Sequence, residues 1–184
     1  MNVYDFDNTI YDGDSTVDFY FFMLKRYPYV IFQFPFQFFG FIEYKLKKID
    51  KTKFKEKFFS FLKYSKSIEN DIKLFWNKKE NKIKKWYLDQ QKNDDIIISA
   101  SPEFLLKEIC SRINISHLIA SKVDSNTGKF LSKNCYGDEK VSRLKEYLED
   151  FRINKFYSDS HSDDPLAKLA EESYLVKGDK LEKW

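Results

Sequence analysis

The sequence predicts an α/β fold: a Rossmann-like parallel sheet with helices on both faces, interrupted near its start by an α-helical insert. Three observations predict it. After residue 94 the chain alternates strand and helix, as a parallel sheet requires. A short apolar strand opens the chain. Between the two, residues 15–90 space apolar side chains at three and four, the helical period. Composition marks the same boundaries. Residues 15–90 carry 17 Lys and Arg against 8 Asp and Glu, net +9, and hold most of the 19 Phe; the remainder, 1–14 plus 91–184, is net −6. We therefore expect a core domain from 1–14 and 91–184, with 15–90 as a helical cap.

The elements follow in order. Residues 2–6, NVYDF, read as a buried strand that runs into acidic residues, and Asp12-Gly13-Asp14 is a turn signal. Ser15 with Asp18 has the form of a capping box, and Asp14 is an alternative cap for the same helix. Pro28 and Pro35 are expected to break or kink the second helical segment. Residues 96–99, IIIS, form a buried β-branched strand. Ser101-Pro102 then reads as a helix cap followed by Pro at the first helical position, ahead of EFLLKEICSRI. HLIASKVD is the next strand and Asn126-Thr127-Gly128 a tight turn. A helix over 138–151, the strand INKFYSD, a helix over 165–172 and a last strand, SYLVKG, complete the chain.

The chemistry is expected at strand ends, because open α/β sheets bind ligands there. Asp5 and Asp7 stand two apart after the first strand. Two carboxylates this close can hold a divalent cation, which lets both stay ionised. Alone, such a pair is also common in solvated loops. Ser99 ends the second strand, where its hydroxyl and the following N–H, that of Ala100, can bind an oxyanion at a helix N-terminus. Lys140 falls in the first turn of a helix, a place unfavourable to a cation, so it needs another use. Asp159 and Asp163 follow the strand KFYS. Acid pair, hydroxyl, lysine and second acid pair make one constellation, more specific than any of its members.

In these motifs, DFDNT (5–9), IIISASPEF around 97–104, GDEK (137–140) and YSDSHSDDPL (157–166), the sequence resembles the haloacid dehalogenase superfamily. Within it, the likeness is to the phosphoserine-phosphatase-like branch with a small helical cap. The resemblance spans the whole chain and implies a HAD-like fold and a phosphatase that uses Mg²⁺. It implies that Asp5 is the nucleophile and Asp7 the general acid/base. Ser99, Ala100 and Lys140 would hold the phosphate. Asp5, Asp7 (through its carbonyl) and Asp159 would hold the metal, with Asp163 in support. Asn8 departs from the Gly common at that motif position, and a short polar residue tolerates the same backbone. An acid at Asp7 suits an alkoxide leaving group, which favours phosphoryl transfer over dehalogenation. The implied substrate is a small or lipid phosphomonoester. The rivals are a phosphotransferase to an alcohol, with identical residues, and a catalytically silent membrane- or protein-binding module.

Composition excludes other classes. Net charge is only +3, which does not announce a nucleic-acid partner. Cys110 and Cys135 have no CxxC spacing, and with two His they build neither a zinc finger nor a disulfide framework. Few cysteines and an N-terminus without a signal-peptide pattern suit the cytoplasm. His161 is expected to face solvent, and His117 and both cysteines to be chemically idle. Asp164 reads as a helix N-terminal acid.

Residues 27–42, YPYVIFQFPFQFFGFI, carry no charge, and their 16 residues fall short of the roughly 20 needed to span a bilayer. In the expected reading their rings form the interior of the cap under a solvated lysine face. In the sharper one the cap lies peripherally on an anionic membrane.

Overall fold

A computed structural model describes residues 1–184. Six strands form one sheet in the order β3-β2-β1-β4-β5-β6: β1 (Asn2–Tyr4), β2 (Ile96–Pro102), β3 (His117–Ser121), β4 (Ile153–Ser158), β5 (Ala170–Lys177) and β6 (Lys180–Lys183). The first five are mutually parallel, and β6 is antiparallel to β5. The sheet is thus mixed rather than purely parallel. Residues 178–179 turn the chain from β5 into β6, with Gly178 at φ 60°. β1 is flanked by β2 and β4, so the connections diverge at its carboxyl end, and a crevice opens there.

Alternate residues of the strands feed opposite faces. Val3, Ile96, Ile98 and Phe156 pack with Leu144 of helix α7 (Asp138–Tyr147) and Leu166 of the short helix α8 (Asp164–Ala167). Tyr4, Ile97 and Tyr157 join the larger cluster with Leu106 and Ile109 of α6 (Glu103–Arg112). Tyr4, Tyr157 and Tyr174 sit in register on neighbouring strands and stack, with centroids 4.7 and 5.1 Å apart.

Between β1 and β2 lie α1 (Ser15–Arg26), α2 (Phe34–Lys45), α3 (Lys51–Phe58), α4 (Ile68–Lys79) and the single turn α5 (Lys85–Leu88), with 3-10 segments at Pro28–Gln33 and Phe59–Tyr64. This insert has no hydrophobic core of its own. Phe19, Phe61, Phe75 and Trp76 share one cluster with Tyr4 and Phe6, and Trp76 Nε1 donates to the Leu105 carbonyl at 2.8 Å. Gly128, at φ 74°, lets the 122–131 hairpin abut Phe59, where a Cβ would come within 2.5 Å of the Phe59 Cβ.

Several expectations need correction. β1 stops at Tyr4, because Thr9, Ile10 and Tyr11 all turn their N–H groups back to the Phe6 carbonyl. Asp14, not Ser15, caps α1, accepting from Val17 N at 2.9 Å. Pro28 and Pro35 open helical segments rather than break them, as their fixed φ allows. Ser101 caps nothing: β2 runs on through Pro102, and α6 starts without a side-chain cap. The helix over 138–151 ends at Tyr147. The helix over 165–172 is only the turn Asp164–Ala167, since pairing to β4 draws the chain from Ala170 onward into β5.

The Phe-rich stretch also departs from expectation. Phe32, Phe34, Phe36, Phe38, Phe39 and Phe41 are all exposed, while the buried residues of α2 are Gln37 and Gly40. No helix is long and apolar enough to cross a membrane.

Candidate active site

The carboxyl end of β1 opens into a cavity of about 380 Å³. The sheet side supplies Asp5, Asp7, Ala100, Ser101, Lys140, Asp159 and Asp163; the insert supplies Thr16, Lys51, Phe54 and Lys55. The loop after β1 is tied at several points. Asp5 N–H donates to the Tyr157 carbonyl at 2.8 Å, and Asn8 N–H to the Gly13 carbonyl at 2.8 Å. Asn8 takes φ 56°, the left-handed backbone that short polar residues accept. The buried Lys84 ammonium, from just before α5, clamps this loop by donating to the carbonyls of Asn8 (2.8 Å) and Gly178 (2.6 Å).

Lys140, buried in the first turn of α7, donates to Asp5 Oδ1 and to Asp163 Oδ2, each at 2.7 Å. Those pairs explain a cation at a helix N-terminus. Burial alone would lower the Lys140 pKa, but the carboxylates of Asp5 and Asp163 outweigh it and hold it above the usual lysine range. Asp163 also accepts from Ser158 Oγ at 2.7 Å, while its Oδ1 is buried without a partner.

Asp7 is held differently. Its Oδ1 accepts from Ser15 N at 2.7 Å and its Oδ2 from Ser101 Oγ at 2.5 Å. Both oxygens are therefore engaged, and the carboxylate is aimed across the cavity at fixed donors. Burial pushes Asp5 up to about 7, with Lys140 opposing, and pushes Asp7 up to about 6, with Asp14 adding to the rise. Asp159 lines the same cavity and is also shifted upward by burial.

Ser99 is fully buried, and its hydroxyl oxygen accepts the Ser101 N–H at 3.0 Å. At this strand end the cavity wall is made by Ala100 and Ser101. The structure thus gathers Asp5, Asp7, Ala100, Lys140, Asp159 and Asp163 around one space and sets Ser99 just behind it. His161 is exposed against the Trp184 ring, and Asp164 accepts from His161 and Trp184. Cys110 and Cys135 are buried, with thiols raised to about 12 and about 11 by burial. None of these four enters the site.

Sequence reasoning missed Lys51, Lys55 and Tyr136. Lys55 reaches from α3 to the Ala100 carbonyl (2.8 Å) and Asn134 Oδ1 (3.3 Å). Lys51 lies over the Tyr136 ring, 3.4 Å from its centroid. Their i,i+4 spacing puts both on one face of α3, which was legible, but nothing local distinguished them from the solvated lysines around them.

A family model for haloacid dehalogenase-like hydrolases matches residues 3–168. The chain belongs to that family. A histidinol-phosphatase from Neisseria meningitidis serogroup C (strain 8013) is 27% identical over 104 residues, 50% of this chain and 47% of that protein, so the match spans about half of the relative's length. Two solved structures share the fold of this haloacid dehalogenase-like chain. A protein of unknown function from Bordetella pertussis Tohama I superposes with a TM-score of 0.73 at 17% identity, over 95% of this chain and 88% of that one. A phosphoserine phosphohydrolase-like protein from Francisella tularensis subsp. tularensis SCHU S4 gives 0.58 at 18% identity, over 95% and 87%.

The donor set suits a hard cation. Asp5, Asp7, Asp159 and Asp163 offer only oxygen, and Asp163 Oδ1 is buried and unpartnered. No group of three or more Asp, Glu, His or Cys side chains is already drawn together around a metal position. Mg²⁺ does not demand one, since it keeps several waters and takes one or two carboxylates plus substrate oxygens.

Proposed function

We propose that the protein is a magnesium-dependent phosphomonoester hydrolase acting through an aspartyl-phosphate intermediate, with residues 15–90 as a cap over the site. The observation that carries this reading is the contrast between two carboxylates two residues apart. Asp5 is paired to Lys140, while Asp7 is turned away onto Ser15 N and Ser101 Oγ. One carboxylate is thereby presented as a nucleophile and the other as a proton carrier.

Asp5, Asp159 and the Asp7 carbonyl are the groups we assign to Mg²⁺, with Asp163 in support. Bound there, Mg²⁺ supplies charge neutralisation between an attacking carboxylate and a phosphoryl dianion. Lys140 orients Asp5 and neutralises an equatorial phosphoryl oxygen. At this strand end we assign phosphate binding to the Ala100 N–H, with the Ser99 hydroxyl, buried behind the wall, accepting the Ser101 N–H and holding the turn in place. Asp5 attacks phosphorus, and the bond to the leaving alkoxide breaks as Asp7 gives it a proton. Asp7 then takes a proton from the water that opens the acyl phosphate, which releases inorganic phosphate and restores Asp5.

The substrate we assign is a small or lipid phosphomonoester. Lys51 and Lys55 have no carboxylate partner within salt-bridge distance, which favours a second anionic group on it. The two free cysteines fit a cytoplasmic setting. The test is phosphate release from a panel of phosphoacids, sugar phosphates, lipid phosphates and histidinol phosphate, with Mg²⁺ and with chelator. Release that depends on Mg²⁺ supports the reading. No release from any member with Mg²⁺ overturns it, and phosphoryl transfer to an added alcohol in preference to water replaces hydrolysis with transfer.

A further inference from the structure

Helix α2 is packed inside out. In a globular helix the apolar stripe faces the protein. Here the inward positions are Gln37, which donates to the Phe58 carbonyl at 2.9 Å and accepts from the Tyr20 hydroxyl at 3.0 Å, and Gly40, whose missing side chain lets Lys57 lie against the backbone. The outward positions are Phe34, Phe36, Phe38, Phe39 and Phe41, continued by Ile31 and Phe32 from the preceding 3-10 segment. Their exposure runs from 41% to 76%. The inner contacts are specific, so the outward aromatic face is fixed by them and is not a loosely docked helix.

The charges left unpaired beside this face are basic. No acidic residue occurs between Tyr27 and Ile42, and Glu43 is already paired with Lys57. Lys45 stands beside the Phe41 ring at 5.4 Å, and Lys47 and Lys48 are exposed beyond the helix end; Lys57, beside the Phe36 ring, is taken up by Glu43. The whole insert is net +9. A second copy meeting this face with its own would bring the same charge to the contact, which argues against a two-fold dimer through it. Twelve residues give a helix of about 18 Å, which lies along a bilayer surface and does not cross it.

We propose that this face is a docking surface for an anionic lipid bilayer, with the rings of α2 in the interface and the lysines at its rim on lipid phosphates. Aromatic rings and lysines are the side chains that favour that boundary. The face is one helix away from the cavity: Phe41 and Tyr44 of α2 pack on Phe54 of α3, which lines it. The inference does not rest on the proposed reaction.

The test is flotation of the full chain with phosphatidylcholine vesicles and with phosphatidylcholine–phosphatidylglycerol vesicles. The native chain should float with the mixed vesicles, and added salt should weaken this. Each rim lysine is worth about fivefold, so phosphatidylcholine alone should bind at least about tenfold more weakly. The triple variant Phe32→Ser, Phe36→Ser, Phe39→Ser should lose flotation while keeping its circular dichroism spectrum. The triple variant Lys45→Glu, Lys47→Glu, Lys48→Glu should bind mixed vesicles at least about tenfold more weakly with its rings intact. No flotation of the native chain, equal flotation with both vesicles, or flotation unchanged by the Phe substitutions would overturn the proposal. So would a native dimer that the Phe substitutions dissociate in sedimentation velocity without any vesicle binding, which would assign the face to a second copy.

Discussion

The sheet ends and the helical insert line one cavity with opposite chemistry. The sheet contributes carboxylates, and its lysine, Lys140, is spent holding two of them. The insert contributes ammonium groups and rings, and neither Lys51 nor Lys55 meets a carboxylate; one lies on a carbonyl and an amide oxygen, the other on a tyrosine. The difference divides the labour. Under the proposed function, groups locked into the buried sheet network would control the bond being broken, and groups brought by the insert would control what enters. Substitutions on the two sides should therefore move different kinetic constants.

The sharpest break in that division would come from Asp5. With the carboxylate replaced in Asp5→Asn, no acyl phosphate can form. We expect kcat to fall by about 10⁴-fold or more, with substrate affinity largely kept, because Lys140 retains Asp163. Near-native turnover in that variant, measured as phosphate release on the best panel substrate, would remove Asp5 from the chemistry. Asp7→Asn should cost less. An amide still accepts from Ser15 N, but it cannot transfer the proton, and proton transfer is worth about 10²–10⁴-fold. Substrate bound by equilibrium dialysis should be unchanged in this variant. A weakened affinity with unchanged kcat would place Asp7 on the binding side instead.

These two residues were legible in the sequence because an acid pair at a strand end has a chemical meaning independent of packing. Lys140 was legible for the opposite reason: it stood where a helix dipole does not want it. Lys51 and Lys55 were not, since KTKFKEKF has the composition of a solvated helix face, and only the docking of α3 on the sheet turns one side of it inward. Ser101 was misread because Ser-Pro before a helix is a good capping signal, and the strand pairing that carries β2 through Pro102 is nonlocal. β6 left a signal, Gly178-Asp179 between two short alternating runs, that taking SYLVKG as the last strand passed over. The exposed rings of α2 had a quieter sign. Gln37 and Gly40 are three apart on one stripe, which marks the inward side of the helix by its polar and small residues rather than by its apolar ones.

On the insert side, Lys55→Met should raise KM about tenfold for an anionic substrate and change kcat less, the loss expected for one hydrogen bond to a charged group. Burial, reinforced by Lys51, pushes the Lys55 ammonium down to about 8. The groups that face it are Lys51 on its own helix, Asp7 and Asp14 from the β1 loop and Lys140 from α7, with the Ala100 carbonyl and Asn134 as direct partners. Below pH 8 the group is charged, and as pH rises through 8 it loses its proton. The KM of the native chain should therefore rise on the alkaline side of pH 8, and Lys55→Met should flatten that limb. The sign for stability is separate. A lysine whose folded pKa lies below its unfolded value binds fewer protons in the folded state, so its burial costs least at high pH and most below pH 8.

The smallest effect, and the finest test of the division, belongs to Lys51. It begins α3, where the helix dipole disfavours a cation, and it stays there over the Tyr136 ring of the loop before α7. A part-exposed ion pair to a second anionic group on the substrate is worth about 0–1 kcal/mol, so Lys51→Met should raise KM by no more than about fivefold. Its second consequence is more specific. Lys51 is one of the charges that hold the Lys55 pKa down. Without it Lys55 should keep its proton to higher pH, and the alkaline rise in KM should move upward even as KM at neutral pH gets slightly worse. A merely structural Lys51 would raise KM equally at all pH values. An unmoved limb in the pH profile would therefore uncouple the two lysines and leave Lys55 as the single charge that the insert lends to the cavity.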